Sequence, residues 1–277
     1  MPAPLARHRK RPAPDPYARW STLHHGRPPG TPGNHYWEIN FGWTAHHNPG
    51  NAYYETPDLD MNYGWGDRIQ LKYELPMAVY TDPSNTTRAG LGKSLFGIKW
   101  RPYEHHKDGE DPSDENTDFS LGTYPQASIN NSTSAIRRGL VENGPQYYLP
   151  VEITAKLGPI NFDGEAGHWF GNQLIPSRWG RGLIAGHEVN DRIELYSEIY
   201  DLQDANRICP NPKQHELTFD IGGRQSLDHS NHIRLLLMGG RALQTVTRQN
   251  SEPSWIAYLG IQFLLGPEEK EIPGQNP

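Results

Sequence analysis

From Tyr36 onward, apolar and polar residues alternate with a period of two in one short segment after another, and a helical period nowhere persists. Successive side chains of a strand point to opposite faces, so this pattern marks strands with one apolar and one polar face. Ile69, Leu71, Tyr73, Leu75 and Met77 alternate with Gln70, Lys72, Glu74 and Pro76. Tyr147, Leu149, Val151, Ile153, Ala155 and Leu157 alternate with Tyr148, Pro150, Glu152, Thr154 and Lys156. Trp255, Ala257, Leu259, Ile261 and Phe263 alternate with Ile256, Tyr258, Gly260 and Gln262.

About twelve such segments can be placed, each about 9–11 residues, the length a tilted strand needs to cross a bilayer. They run 35–45, 55–65, 68–79, 94–103, 118–130, 146–157, 160–170, 179–189, 192–201, 215–225, 232–241 and 255–265. Some connections are tight: Gly64 to Asp67, Gly158-Pro159 and Asn190-Asp191 carry the residues that close turns. Others are long, such as 81–93, 131–145, 202–214 and 242–254. Short turns on one rim and long loops on the other characterise outer-membrane barrels. The acidic link 105–117 breaks this rule, lying on the expected short-turn rim.

Alternation leaves open which face meets what. A soluble sandwich or lipocalin-like barrel would turn the apolar side inward. Three features put lipid on that side. The polar face carries charges of both signs, including Asp58, Asp60, Arg101, Glu188 and Arg234. Aromatics of the apolar face gather toward strand ends at Trp37, Trp43, Tyr63, Trp65, Trp100, Tyr147, Trp179 and Trp255, as interfacial belts do. The segments also exceed the about 5–6 residues usual for soluble sheets. The expected fold is therefore all-β, a closed antiparallel transmembrane β-barrel of the bacterial outer membrane.

The mean hydropathy of −0.79 is no objection, because a spanning strand shows lipid only alternate residues. No apolar run approaches the about 18 residues of a membrane helix. The net charge of −6 gives no ground for nucleic-acid binding. The single cysteine, Cys209, excludes an internal disulfide and a cysteine zinc cluster. Residues 1–34 are rich in proline and basic side chains and have no apolar stretch after Arg7, Arg9, Lys10 and Arg11. They read as a disordered tail without the pattern of a secretory signal. The barrel spans 35–265, and 266–277 form a polar C-terminal tail. Pro76, Pro125 and Pro150 fall inside spans, where a missing N–H donor implies bulges or ends of pairing.

An ordered series of segments carries a family resemblance. Asn62 to Leu71, Gly92 to Arg101, Tyr124 to Gln126, Arg137 to Leu140, Leu149 to Glu152 and Tyr258 to Gln262 resemble the outer-membrane MetA-pathway of phenol degradation proteins, in matching order over most of 36–265. The resemblance implies an outer-membrane barrel of transporter type, accompanying aromatic-compound breakdown. In such barrels the last strand often ends on an aromatic; here Phe263 is followed by Leu264 and Leu265.

The charged polar face is the main functional lead. Lys72, Glu74, Lys99, Glu152, Lys156, Asp163, Glu165, Glu194, Glu198, Asp220 and Arg224 are the candidate lumenal, solute-binding network. Such a lining selects polar solutes by the rules of other pores; equally, salt bridges could fill the interior and close it. The expected function is passive or facilitated passage of small compounds, aromatic ones included. The alternatives are a non-conducting structural barrel and a soluble ligand-binding barrel. The expected partners are outer-membrane lipid and a small solute. No catalytic role, cofactor or metal is expected. His229-Ser230-Asn231 is similar in residue types to the catalytic set of outer-membrane phospholipase A, but neighbours in a tight turn point apart. The pairs His24-His25, His46-His47 and His105-His106 match no metal-binding spacing.

Overall fold

The computed structural model describes residues 31–48, 50–105, 119–172, 175–205, 215–245 and 254–267. The strands are β1 (Trp37–Asn48), β2 (Asn51–Trp65), β3 (Ile69–Thr81), β4 (Thr87–Leu91), β5 (Lys93–His105), β6 (Phe119–Thr123), β7 (Gln126–Asn130), β8 (Gln146–Leu157), β9 (Ile160–Phe170), β10 (Arg178–Asn190), β11 (Ile193–Asp204), β12 (His215–Ser226), β13 (Ile233–Thr245) and β14 (Trp255–Leu265). A short helix, α1 (Thr133–Arg137), lies between β7 and β8. All strand pairings are antiparallel.

Fourteen β segments make twelve spanning strands. β4 and β5 continue one another past Gly92, since both pair with β3. β6 and β7 do likewise past Tyr124-Pro125, since both pair with β5 and β8. β1 pairs with β14 from Trp37↔Leu265 to His47↔Trp255, which closes the barrel. Closure matters because lipid offers no hydrogen bonds to an open strand edge.

The three prolines sit where the ladder is interrupted. Pro76 faces the β4–β5 break, and its carbonyl accepts from Gly92 N–H at 2.9 Å. Pro125 belongs to the β6–β7 break. Pro150 lies opposite that break, and its carbonyl accepts from the Thr123 hydroxyl at 2.7 Å.

The apolar face is the outer one. Trp37, Trp65 and Trp100 are exposed near the short-turn rim, and Tyr147, Trp179 and Trp255 near the other. Leu149, Val151, Leu195, Ile221, Leu237 and Leu259 are exposed between them. Charged residues take the buried, inner side, including Lys72, Glu152, Glu198 and Asp220. This orientation excludes the soluble barrel, whose apolar face would be buried, and sets the chain in a bilayer.

Several boundaries differ from the sequence expectation. The link expected at 46–54 closes tightly, with Gly50 in the turn, because β1 and β2 stay paired to Asn48↔Asn51. The link 81–93 contains strand β4, and only 82–86 form a loop. There Asp82 Oδ1 accepts from the Ser84 hydroxyl at 2.5 Å and from the Ser84 and Thr86 N–H groups, both at 3.0 Å. Asp82 Oδ2 accepts from Arg88 at 2.5 Å. Glu188, assigned to the polar face, keeps that phase opposite Glu194 and is exposed because it lies at the short-turn rim. The chain is also anchored before β1: the Thr31 hydroxyl donates to Asp67 O at 3.0 Å, and His35 N–H to Gly64 O at 2.9 Å. Most of the 1–34 tail, most of 266–277, the 106–117 part of the acidic link, Cys209, His24-His25 and His106 lie outside the described residues.

Two outcomes follow. Ile221→Arg, at mid-strand on the outer face, costs about 2–4 kcal/mol of stability, measured by urea titration of folding into phospholipid vesicles. The Asp82 carboxyl is held below its usual range, first by the Ser84 hydroxyl and next by the Thr86 N–H. A depressed native pKa stabilises fully above the unfolded value, about 3.9, and that contribution disappears as pH falls through the native value. Amide-exchange protection at Ser84 and Thr86, corrected for intrinsic rates, therefore stays level from neutral pH to about 4 and falls below it. In Asp82→Asn this pH step is absent.

Candidate functional site

The inner wall is built by the polar phase of each strand. On β1 that column is Glu38, Asn40, Gly42, Thr44 and His46; on β2 it includes Glu55, Asp58, Asp60 and Asn62; on β3 it includes Gln70, Lys72 and Glu74. Lys72 Nζ stands 2.8 Å from Glu74 and 3.3 Å from Asp60. Asn40 Nδ2 donates to Asp60 at 3.2 Å, and Gln70 Nε2 to Asn62 at 2.7 Å. One ammonium thus anchors a hydrogen-bonded carboxylate and amide network across three strands.

A second group occupies β8 to β12. Lys99 on β5 reaches Glu152 at 3.0 Å and lies 5.6 Å from the centre of the Tyr124 ring. Gly122 on the intervening β6 has no side chain to block that reach. Asp163 accepts from the Thr154 hydroxyl at 2.6 Å, and Glu165 from the Tyr148 hydroxyl at 2.5 Å. Glu194 pairs with Arg224. Glu198 and Asp220 face one another in the ladder and are 1% and 4% exposed. Lys156 is half-buried at the short-turn end of β8. The candidate residues therefore form two groups: Lys72 with Glu74, and the β8–β12 set that Lys99 joins.

Sequence reasoning missed the aromatic part of the wall. Tyr124, Tyr148, Tyr200, Tyr258 and Trp169 are buried on the inner side, and Tyr148 stacks on Trp169 with ring centres 4.5 Å apart. The tyrosines lie against inward-facing glycines. A Cβ at Gly97 would come within 2.7 Å of the Tyr124 ring, one at Gly167 within 2.5 Å of Tyr148, and one at Gly260 within 2.4 Å of Tyr258 Oη. Glycine lets each ring lie along the wall instead of standing across the lumen. The signal was present: Tyr148 and Tyr258 occupy the polar phase of their strands, with glycine in the same phase next door.

The connection between β7 and β8 also turns inward. Ser132 caps α1, its hydroxyl accepting from Ser134 N–H at 3.1 Å. Ala135, Leu140 and Val141 then pack on Tyr53, Ala78 and Tyr80 of the inner wall. Arg138 donates to Ala89 O at 2.6 Å, and Arg88 to Arg138 O at 2.7 Å. This loop, expected to extend from the rim, narrows the long-loop mouth because its apolar residues find their burial inside.

His46 is buried and His47 exposed, so this pair points to opposite faces. His229 and Ser230 are exposed in the β12–β13 turn. Among the described residues, no group of three or more His, Cys, Asp or Glu side chains is arranged to hold a metal ion.

No protein-family model matches the chain, and no curated protein matches it in sequence. Solved structures do. The COG4313 outer-membrane channel of Pseudomonas putida F1 superposes with a TM-score of 0.58 at 13% identity, over 83% of this chain and 94% of that one. The NanC porin superposes with a TM-score of 0.52 at 9% identity, over 81% of this chain and 98% of that one. At these identities the likeness is one of fold: a barrel of the bacterial outer-membrane type.

The buried Lys99–Glu152 pair gives a direct test of the wall's energetics. Lys99→Ala strands the Glu152 carboxylate and costs about 3–5 kcal/mol, whereas Lys99→Met with Glu152→Leu is neutral or stabilising. Urea unfolding in lipid vesicles measures both.

Proposed function

We propose that this protein is a channel of the bacterial outer membrane that passes small solutes, aromatic compounds among them, by passive or facilitated diffusion. The carrying observation is the inner wall: polar and charged columns around the barrel, with the tyrosines laid flat on glycines. A wall of this kind keeps its bulk off the barrel axis and presents hydrogen-bonding groups to a passing solute. The fold shared with a solved outer-membrane channel and a porin supports the reading. So does the ordered resemblance to MetA-pathway of phenol degradation proteins, which also motivates the aromatic solutes. The candidate lumenal residues would then act as transient partners, with outer-membrane lipid outside the barrel.

A structural, non-conducting barrel is the second reading. It is favoured by the ion pairs along the inner wall and by the segment seated in the long-loop mouth. Planar-bilayer recording separates the two. The channel reading expects discrete conductance steps from folded, heat-modifiable protein, and larger steps when 133–141 is replaced by a glycine-serine linker. Folded protein of both forms that carries no current sinks the channel and favours the structural barrel.

A further inference from the structure

The lipid-facing phase of the wall is apolar almost throughout, and its charged exceptions gather in one place. Among the described strand residues of that phase, the Asp, Glu, Lys and Arg side chains are Arg181 on β10, Asp201 on β11 and Arg241 on β13. All three stand in the long-loop half of their strands. Arg181 lies opposite Asp201 in the ladder, and Asp201 opposite Leu217 on β12. One ladder step toward mid-membrane, Phe219 lies opposite Arg241, and Arg241 opposite Trp255 on β14. At the short-turn rim the same phase presents Trp37, Trp65 and Trp100 and, among the described strand residues, no such charge.

Each arginine stands beside an exposed tryptophan. Arg181 follows Trp179 by two residues on the same face of β10. Its side chain is 58% exposed, although it stands 3.5 Å from Asp201, which also meets His215 at 2.5 Å. The Arg241 guanidinium lies 5.4 Å from the centre of the Trp255 ring. Tryptophans of this belt mark the depth of lipid headgroups, where a cation on the lipid face costs far less than at mid-membrane. Just below Arg241 the same face is hollowed. Gly239 has nothing within 4 Å of the place a Cβ would take. With Leu195, Ile221, Leu235 and Leu237 it lines a cavity of about 380 Å³. A cation at headgroup depth above an apolar groove matches an anionic head and its acyl chain.

We propose that the outer face of β10–β14 binds a phosphorylated lipid of the outer leaflet, its phosphate on Arg241 beside Trp255 and an acyl chain in the groove at Gly239. The site faces lipid and goes beyond the channel reading, standing whether or not the lumen conducts. The long-loop rim is the one turned to the cell exterior in barrels of this type, which sets the leaflet. A guanidinium presents a planar fork of N–H donors that fits phosphate oxygens two at a time. The flexible stem of Arg241 carries that fork from one ladder step below the Arg181 row up to headgroup level. Arg181 is three inter-strand spacings away, about 14 Å, so it adds a second cation to the same field and contributes less than Arg241.

The probes are dioleoyl phosphatidic acid and dioleoyl phosphatidylcholine, which share acyl chains and differ in headgroup charge. Both are titrated into the folded protein in neutral detergent micelles, and bound lipid is counted by native mass spectrometry. Phosphatidic acid is expected to bind at least about tenfold more tightly, the order of one charge-assisted hydrogen bond. Arg241→Gln is expected to bring the two lipids within about twofold, and Arg181→Gln to narrow the preference less. Gly239→Leu, which fills the groove, is expected to weaken both lipids alike. Arg68→Gln, exposed at the short-turn rim, is expected to leave the preference unchanged. Heat-modifiable migration shows that each variant is folded. Equal binding of the two lipids, full preference in folded Arg241→Gln, unchanged affinity in folded Gly239→Leu, or the same loss in Arg68→Gln overturns the site. Displacement of phosphatidic acid by equimolar inorganic phosphate overturns a lipid as the occupant.

Discussion

In a bilayer core there is no water to take up a backbone N–H or C=O, so every strand must find hydrogen-bonding partners on both sides. The pairing of β1 with β14 meets that demand for the first and last strands, over a register running from Trp37 to His47. Everything else in the molecule is arranged around a closed ladder. Proline sits where the ladder is interrupted: Pro76, Pro125 and Pro150 gather around the β4–β5 and β6–β7 breaks, and Pro57 and Pro102 lie at register shifts within β2 and β5. The breaks in turn let β5 be shared with two short strands without opening the wall.

Closure divides the side chains into two populations with different solvents. Outward residues meet lipid and are apolar, with aromatics near both rims. Inward residues are polar and sit at low effective dielectric, where an unpartnered charge is expensive and a paired one is strongly held. Lys72 and Lys99 each serve carboxylates from a different strand, so the same contacts that satisfy the charges also tie strands together. The glycine and tyrosine pairs work in the other direction. They remove bulk from the wall at the positions where a large ring must be stored, and they keep that ring parallel to the wall.

The strand pattern was readable because a β ladder enforces a period of two and lipid enforces its contrast. All twelve spans expected from the alternation have a counterpart, and the exposed tryptophans stand where the apolar phase put them. Errors arose where a loop residue continues the ladder, as at 46–54 and 87–91, since polar hairpin ends carry no lipid-facing contrast. Glu188 keeps the inner phase, opposite Glu194, and is exposed only because it lies at the rim. The candidate charges were found by phase, yet their partners were not. Nothing in the order of residues indicates that Lys99 crosses over Gly122 to Glu152, or that Ala135, Leu140 and Val141 turn back onto Tyr53 and Tyr80.

The amino-acid sequence by itself determined the class of fold, the number of spanning strands and the face each residue occupies, because these follow from the local geometry of a strand and from the solvent on either side. Only the tertiary structure decided which inner residues meet. Register between neighbouring strands, and the closure that brings β14 beside β1, place Met238, Tyr258, Thr44 and Glu55 in one row although they come from opposite ends of the chain. Such neighbourhoods depend on pairing between distant segments, and alternation within a segment carries no information about them.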